Sequence, residues 1–426
     1  MKKLITLLLV ITSFAAFSQR RTCATMDILH KRMETDPEFA MRHQEMMDFI
    51  YNPNNPQTLF RQPNAPSIVV TIPVVFHVLY SNATQNISDA QINSQLTVLN
   101  NDYRKLNANF NTAVPAAFRP LAADMEIVFC KATRTPTGVA TTGITRKSVS
   151  TSFDLETQYY ENAGEPAWDT TKYLNIWIGQ FPTGSDILGF ANLPETGVVG
   201  SSFDGLCIGN QYFGTTGTAT APFNYGRTAT HEIGHYLGLL HPWGDDGVAC
   251  GNPYIDPQTP SNDDRVSDTP ETRRWYFGCP TFPTNTYSCA TTANGSMFMN
   301  YMDYVDDACM GMFSNGQKVV VQNTLAGPRL SLLSSNGCTS LGLNEVAAIK
   351  AIAVYPNPAS KYFMITSPQV DIDEVEIFNT VGQLVKTQKL AQANNVINIE
   401  DLASGTYYLR IYNAGEFLKS DKIIKK

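Results

Sequence analysis

The spacing of hydrophobic residues changes several times along the chain, and each change predicts a new structural element. Residues 26–50 carry apolar side chains at helical intervals, and the stretch that follows, YNPNNPQTLFRQPNAP, is rich in proline and asparagine and predicts a linker. From Ile68 the run IVVTIPVVFHVLY is β-branched and aromatic, which is typical of a buried strand. The next segment, SDAQINSQLTVLNNDYRKLN, has Ser88 as an N-cap before a one-sided apolar pattern and predicts a helix.

Two further strands are predicted by MEIVFCKA and LNIWIGQF, so the order of elements favours an α+β domain with a mixed sheet backed by helices. Residues 222–238 return to a helical pattern, and residues 242–300 form a long irregular region rich in Gly, Pro, Asp and Asn. The segment SNGQKVVVQNTLAGPRLSLLSS predicts a closing helix that is kinked or broken at Gly327 and Pro328.

The last part of the chain has a different pattern of hydrophobic and polar residues. Residues 345–426 contain short alternating segments separated by turn residues. In TYYLRIY, for example, Tyr407, Leu409 and Ile411 share one face and the residues between them share the other. This pattern predicts a small antiparallel β-sandwich.

Length, charge and the N-terminus narrow the class of protein. A chain of 426 residues indicates two or three folding units, and the net charge of −7 is spread without clusters of Lys and Arg, so we expect no nucleic acid partner. The start, MKKLITLLLVITSFAAFSQ, predicts a secretory signal peptide cut after Ser18. No segment reaches the roughly 18 apolar residues of a membrane span, so we expect a soluble, exported protein.

The helical segment and its linker together suggest a removable piece, with Arg61 as an accessible basic cleavage point. Export also carries the eight cysteines into an oxidising compartment, where disulfides are expected. Four of them lie close together between residues 250 and 309, and their spacing alone does not decide how they pair. The other four are dispersed, namely Cys23, Cys130, Cys207 and Cys338.

The stretch GRTATHEIGHYLGLLHPWG carries the strongest chemical signal. On a helix, His231 and His235 lie on one face about 5 to 6 Å apart at Cβ, a distance at which two imidazoles bind one ion. His241 cannot join them on a continuing helix, but a left-handed turn at Gly238 would end the helix and bring His241 back to the same ion. Glu232 borders this cavity and can act as a base.

Three neutral imidazoles leave one position of a tetrahedral zinc site for water, as in catalytic zinc sites. Zinc lowers the pKa of that water toward about 7, and Glu232 would take the water's proton and pass it to the leaving amine. The predicted reaction is therefore hydrolysis of internal peptide bonds. Two alternatives stay open: an exported adhesin or binding protein with a structural metal, and a zinc amidase acting on small molecules or cell-wall peptides. His77, in a strand, is expected to be a hydrogen-bonded core residue.

HEIGHYLGLLH resembles the zinc motif of the metzincin endopeptidases, and MNYMDY resembles their Met-turn. The flanking DRVSDTP and NYMDYVDDACMGMFSNGQ are similar to the pappalysin family, whose secreted microbial members resemble residues 68–335. The resemblance implies a metzincin-like domain with a mixed five-stranded sheet, backing helices and an active-site helix. It also implies zinc bound by His231, His235 and His241, with Glu232 as the general base.

The same resemblance implies roles for three more residues. Met302 would form the hydrophobic floor beneath the metal, and Tyr304 would stabilise the tetrahedral oxyanion. Cys23 would bind zinc in a latent form until its segment is cut. Some relatives prefer a basic residue after the cut, which needs an acid in the pocket. The helix after Asp307 has no carboxylate, so we expect an apolar pocket formed by residues 319–321.

Disulfide bonds and a calcium site also follow from the resemblance. The implied disulfides are Cys250–Cys289 and Cys279–Cys309. The stretch DDRVSDTP resembles a calcium-binding segment, and the implied ligands are Asp264, Asp268 and Thr269. Solvated turn residues are the alternative for this stretch.

The terminal segments VYPNPASKYF, VEIFNTVGQLV and INIEDLASGTYYLRI resemble the C-terminal sorting domain of the type IX secretion system of Bacteroidetes. This resemblance implies an immunoglobulin-like sandwich that the export machinery reads, after Sec-dependent passage of the inner membrane. We therefore expect a secreted or cell-surface protein. Its predicted divisions are a signal peptide at 1–18, a helical propeptide at 19–61, a catalytic domain at 62–337, a linker at 338–344 and the sorting domain at 345–426.

Overall fold

The computed structural model describes residues 20–55, 69–245, 250, 264–339, 352–367, 371–390, 395–413 and 416–426. The predicted signal peptide and Arg61 lie outside these residues. The chain forms two compact units, and the boundary between them lies between Thr339 and Ser340. None of the helices in the described part of the chain has the length and apolar character that crossing a membrane requires.

Two helices, α1 (Thr25–Thr35) and α2 (Pro37–Ile50), begin the larger unit. The sequence pattern predicts one helical stretch here, and the structure divides it at Asp36. The Asp36 side chain accepts hydrogen bonds from the N–H groups of Glu38 and Phe39, so it is the N-cap of α2. Pro37 has no N–H with which to continue α1, and its fixed φ suits the first position of a new helix. The apolar faces of both helices belong to the core of the larger unit.

A sheet of six strands organises this unit. The strands are β1 (Val70–Tyr80), β2 (Ile127–Lys131), β3 (Ile144–Ser148), β4 (Leu174–Gly179), β5 (Gly189–Ala191) and β6 (Leu206–Gly209). Their order is β2-β1-β4-β6-β5, and only β5 runs antiparallel to its neighbour. The mixed sheet is confirmed, with one strand more than the five expected. Strand β1 is long enough to pair with β2 along its first half and with β3 along its second.

The remaining helices of the larger unit are α3 (Asp89–Tyr103), α4 (Phe110–Ala113), α5 (Leu155–Gln158), α6 (Arg227–Tyr236) and α7 (Asn315–Ala326). Ser88 caps α3 as predicted, because its side chain accepts a hydrogen bond from the N–H of Gln91. A capping box of Ser314 and Gln317 begins α7. The helix ends at Ala326, where the sequence predicts a break, and a short 3-10 helix, Leu330–Ser334, follows.

The core of this unit lies on both faces of the central strands. Strand β4 is buried at every position, which explains its continuous apolar run in the sequence. His77 lies in this core on β1. Its Nδ1 is 2.8 Å from the hydroxyl of Thr145, and its Nε2 is 2.9 Å from the side-chain oxygen of Asn175. The structure therefore makes His77 a fully hydrogen-bonded core residue, as expected.

Three disulfide bonds connect distant parts of the larger unit. They are Cys130–Cys338, Cys250–Cys289 and Cys279–Cys309. The second and third are the pairs that the family resemblance implies. The first joins β2 to the end of the unit, and the sequence alone assigned no partner to either cysteine. Cys23 and Cys207 are free thiols, and both are buried.

The smaller unit consists of two antiparallel sheets in its described residues. Its strands are β7 (Ala353–Tyr355), β8 (Tyr362–Thr366), β9 (Glu374–Phe378), β10 (Leu384–Lys389), β11 (Val396–Asn398), β12 (Gly405–Asn413) and β13 (Glu416–Lys425). The two orders are β11-β8-β7 and β10-β9-β12-β13. Tyr407, Leu409 and Ile411 face the core, whereas Tyr408 and Arg410 are exposed. The predicted alternation along this strand is thus confirmed.

Candidate metal centre

Helix α6 carries the first two predicted metal ligands on one face. It begins after Gly226, which has a φ of 75° that favours glycine and whose carbonyl accepts a hydrogen bond of 2.9 Å from the Gln95 side chain. All ten residues of the helix are buried, so it lies within the interior of the unit. His231 and His235 are one turn apart, and their Nε2 atoms are 3.2 Å from each other.

A tight turn after α6 brings the third histidine to this pair. Gly238 has a φ of 90°, and its N–H donates to the carbonyl of His235 at 2.8 Å. The chain then reverses, so the Nε2 of His241 lies 3.2 Å from that of His231 and 3.1 Å from that of His235. The structure brings the three histidines together through the glycine turn that the sequence predicts.

Each of the three imidazoles has its Nδ1 fixed by an oxygen atom. The partners are the carbonyl of Tyr301 for His231 at 2.8 Å, the carbonyl of Leu239 for His235 at 2.7 Å, and the carboxylate of Asp245 for His241 at 2.6 Å. Such oxygens only accept hydrogen bonds, so each Nδ1 carries the ring's proton. Each Nε2 therefore presents a lone pair to the other two.

Three lone pairs at this separation repel one another unless a cation lies among them. A zinc ion about 2.0 to 2.1 Å from each nitrogen fits, because tetrahedral angles at that bond length separate two nitrogens by about 3.4 Å. Burial, together with the neighbouring histidines, lowers the pKa of His231 and lowers the pKa of His235 to about 3. Both rings are thus neutral, as metal binding requires.

The thiol of Cys23 lies at the same place. Its sulfur and the ligand nitrogens of the three histidines are all within 4.8 Å of one another, and this is the one such group among the described residues. Two backbone hydrogen bonds, of 2.9 and 3.2 Å, join the residues on either side of Cys23 to strand β5 and the residue before it. Burial, and then the carboxylate of Glu232, raise the pKa of this thiol well above its usual range. A thiolate here therefore depends on the positive charge of a metal.

The carboxylate of Glu232 is buried beside the histidines and contacts the same N-terminal segment. Its Oε2 accepts hydrogen bonds from the hydroxyl of Thr25 at 3.1 Å and from the thiol of Cys23 at 3.3 Å. Burial raises the pKa of Glu232 to about 7. A carboxyl group with such a pKa can both accept and release a proton near neutral pH.

Met302 and Tyr304, two residues that the sequence predicts at the site, both lie against helix α6 or its histidines. Met302 is fully buried against α6, where a Cβ atom on Gly234 would lie 2.3 Å from the methionine sulfur. Glycine at this helical position therefore makes room for the sulfur. The ring of Tyr304 packs against two of the histidine rings, with centroids 4.9 and 5.8 Å apart. Its hydroxyl donates to the carbonyl of Cys23 at 3.5 Å.

Two residues just after the histidine motif were not predicted from the sequence. Both carboxylate oxygens of Asp245 lie 2.6–2.7 Å from Nδ1 of His241, and the indole N–H of Trp243 donates to this carboxylate at 2.9 Å. The Trp243 ring stacks on His241, with centroids 4.4 Å apart. A carboxylate in this position orients a metal-binding imidazole and raises its basicity. In the sequence, this arrangement is indicated only by the acidic residue Asp245, four positions after His241.

A buried ion pair lies beside the centre, close to the start of α6. The guanidinium of Arg21 pairs with the carboxylate of Asp307, and the two side chains are 1% and 0% exposed. The same carboxylate accepts hydrogen bonds from the N–H groups of Tyr225 and Arg227 at 2.9 and 3.1 Å. The apolar pocket expected at residues 319–321 stays a prediction, and Asp307 is a buried carboxylate that this expectation did not include. In the sequence, this ion pair is indicated only by a basic residue, Arg21, two positions before Cys23.

The three predicted calcium ligands are not brought together around one point by direct contacts. The Thr269 hydroxyl donates to Asp264 at 2.6 Å. Asp268 instead accepts hydrogen bonds at the start of α7, from the hydroxyl of Ser314 at 2.6 Å and from the N–H of Gly316 at 2.9 Å. The calcium site stays a prediction.

Two family models match this chain. Residues 158–326 match the peptidase M43 model, described as pregnancy-associated plasma protein-A, and residues 353–426 match the secretion system C-terminal sorting domain. An extracellular metalloprotease of Arthroderma benhamiae is 30% identical over 252 residues, which are 58% of this chain and 74% of that protein. Another, from Colletotrichum graminicola, is 36% identical over 148 residues, which are 34% of this chain and 46% of that protein.

Solved structures give the same result. A promirolysin mutant of Tannerella forsythia is 39% identical, with a TM-score of 0.64, and the match covers 74% of this chain and 97% of that one. Mature mirolysin of the same organism, in complex with a cleaved peptide, is 43% identical, with a TM-score of 0.57, and the match covers 63% and 97%. The chain therefore belongs to the pappalysin family of zinc metalloendopeptidases, and it carries a C-terminal sorting domain that directs it to the cell surface or the medium.

Proposed function

We propose that the chain is the latent precursor of this zinc endopeptidase, with His231, His235 and His241 as the zinc ligands and Glu232 as the general base. The observation that carries the proposal is the meeting of three Nε2 atoms at 3.1–3.2 Å beside a buried carboxylate. A metal that only stabilises the fold needs no acid next to its ligands, so Glu232 favours an enzyme over a binding module.

The reaction uses groups of this chain in separate roles. When bound, zinc polarises the scissile carbonyl and lowers the pKa of water toward about 7. Glu232 accepts a proton from the attacking water and transfers it to the leaving nitrogen. The Tyr304 hydroxyl donates a hydrogen bond to the oxygen that gains negative charge. Met302 provides an apolar floor beneath the histidines.

Latency follows from what the N-terminal segment contacts. With zinc bound, Cys23 would supply a fourth ligand as the thiolate, and the Thr25 hydroxyl would keep its hydrogen bond to Glu232. The backbone of Cys23 also accepts the hydroxyl of Tyr304. Its neighbours pair with the edge strand β5, which a peptide substrate could otherwise extend. One short segment therefore engages the metal ligands, the base, the oxyanion donor and the sheet edge at once. We propose residues 19–61 as the propeptide, and these contacts of residues 22–25 support its inhibitory role.

The ion pair of Arg21 with Asp307 indicates the substrate. When the propeptide leaves, the buried Asp307 carboxylate loses its cation, and a basic side chain of the substrate can replace it. A guanidinium matches a carboxylate through two parallel hydrogen bonds, so arginine is the preferred residue beside the scissile bond. Calcium in the segment after residue 263 remains a proposed structural cofactor.

The processed protein provides the main test of this mechanism. We expect Glu232→Gln to keep zinc and to lower turnover of an arginine-containing peptide by about 10²- to 10⁴-fold. Near parental turnover would remove Glu232 from the base role. Asp307→Asn is the matched control for specificity, because it should lower cleavage beside arginine while leaving cleavage of an uncharged peptide in place.

Two experiments separate the remaining readings. Cys23→Ala should give a precursor that cleaves peptides before its propeptide is cut, and unchanged latency would exclude the thiol. Casein hydrolysis by the processed protein, with and without a zinc chelator, distinguishes the protease from an adhesin with a structural metal. Hydrolysis of small amides but not of casein would favour the amidase.

A further inference from the structure

The end of helix α2 packs on the turn that follows α6. Ile50, the last residue of α2, is fully buried, and its side chain lies where a Cβ atom on Gly238 would come within 2.7 Å. The Asn323 side chain on α7 donates to the carbonyls of Ile50 and Asn52 at 2.8 and 3.0 Å. This contact is separate from the one that Arg21 and Cys23 make, since it lies at the other end of the propeptide.

Tyr51 bridges the turn with its hydroxyl. It donates to the carbonyl of Gly238 at 3.0 Å and accepts from the N–H of Leu240 at 3.1 Å. The two backbone groups flank Leu239, whose carbonyl fixes Nδ1 of His235 at 2.7 Å. Leu240 is followed directly by His241, the third histidine of the metal centre. The Tyr51 hydroxyl therefore holds the backbone on both sides of Leu239, the residue that orients His235.

We infer that Tyr51 is a positioning residue for the metal centre, so that the propeptide helps to assemble the zinc site that it also inhibits. This inference rests on the proposed zinc site. A glycine turn has many accessible backbone conformations, and ordering it costs conformational entropy. Two hydrogen bonds from a side chain anchored on α2 and α7 restrict the turn before zinc binds. Groups that orient metal ligands in this way commonly change metal affinity by about 10- to 100-fold when they are removed.

The test compares zinc affinity in full-length precursors that all keep Cys23, measured by competition with a chelator of known affinity. Tyr51→Phe keeps the ring and removes only the hydroxyl, and we expect about 10-fold weaker zinc binding. The matched control is His43→Ala. It removes another contact of α2, the one between Nδ1 of His43 and Glu195 at 2.9 Å, without touching the turn. We expect its zinc affinity to stay within about twofold of the parent.

Zinc affinity for Tyr51→Phe within about twofold of the parent would overturn the inference. An equal loss in both variants would also overturn it, because general loosening of the propeptide would then be the cause. If Tyr51→Phe fails to fold, Asn323→Ser is the second variant, because it releases the backbone on either side of Tyr51. It should also weaken zinc binding. Unchanged zinc affinity in Asn323→Ser would overturn the inference. A parent that binds no zinc would instead contradict the proposed function.

Discussion

His77 and the three histidines of the metal centre are all buried, and they differ in what their second ring nitrogen contacts. His77 on β1 has both ring nitrogens hydrogen-bonded to side chains, those of Thr145 and Asn175. The three histidines of the metal centre have only Nδ1 bonded to oxygen, and their Nε2 atoms face one another. Burial lowers the pKa of His77 to about 4 and that of His235 to about 3.

The comparison shows that burial and a lowered pKa do not identify a metal ligand. Both groups have these properties, because desolvation disfavours the charged imidazole wherever it is buried. The second ring nitrogen is the feature that separates them. A ring nitrogen with a hydrogen-bond partner, as in His77, is satisfied within the core. A ring nitrogen whose lone pair faces other lone pairs, as in the metal centre, requires a cation between them.

The largest expected effect comes from replacing one member of the metal centre. His235→Gln should reduce bound zinc to a small fraction of the parent's and should lower peptide hydrolysis by at least about 10³-fold, since both the metal and its chemistry are lost. His77→Gln should keep zinc and activity and lower the free energy of unfolding by about 1 to 3 kcal/mol. Metal analysis and peptide hydrolysis on the same preparations check this. Loss of zinc from His77→Gln would contradict the separation of His77, a core residue, from the metal ligands.

Chelation should separate the two groups in stability. If zinc is present at about 1,000 times its dissociation constant, removing it lowers the free energy of unfolding by about 4 kcal/mol. We expect this loss in the parent and in His77→Gln, and no response in His235→Gln. Thermal unfolding with and without chelator measures it. A chelator response in His235→Gln would place the stabilising metal elsewhere.

A smaller effect is expected for the residue that orients His241. Asp245→Ala removes the acceptor of its Nδ1 proton and should weaken zinc binding by about 10- to 100-fold. Asn175→Ala removes a partner of His77 and should leave zinc affinity unchanged while destabilising the fold. Chelator competition gives both values. Equal zinc affinity for Asp245→Ala and the parent would show that Nδ1 needs no carboxylate here.

The smallest effect is the pH dependence that His77 contributes. Its pKa in the folded protein is lowered from 6.5 to about 4, so the unfolded chain binds more protons between these values and stability falls as pH falls. Between pH 7 and pH 5.5 the parent should lose about 1 kcal/mol relative to His77→Gln. The comparison is made with chelator present, so that zinc binding does not contribute. The histidines of the metal centre then contribute equally to both proteins and cancel in the difference. Parallel pH profiles for the two proteins would contradict the assignment.

The sequence predicts well those features whose cause lies within a short segment. The buried strand β1, the Ser88 cap, the glycine turn and the three histidines each depend on residues close in the chain. The pairings of Cys250 and Cys279 came from family resemblance, since their spacing alone leaves them open. Asp36 and Pro37, a cap followed by a helix-initiating proline, are a local signal for the split between α1 and α2.

Features that join distant segments could not be predicted in this way. Arg21 meets Asp307 across 286 positions of the chain, and Tyr51 meets Gly238 across 187. No local periodicity reports such contacts, because they depend on where the sheet and α6 place their neighbours. The strand β3 was missed for a related reason, since its residues are largely exposed or half-buried and lack an apolar run.

The disulfide between Cys130 and Cys338 has a mechanical consequence for a protein whose last unit serves as an export address. Cys338 is one residue before the last residue of the larger unit, and its partner lies in strand β2. A pull on the chain beyond residue 339 would therefore be transmitted through this disulfide to β2 rather than to the ends of the 3-10 helix and α7. A chain that ended after residue 339 would keep this covalent tie between its last residues and the sheet.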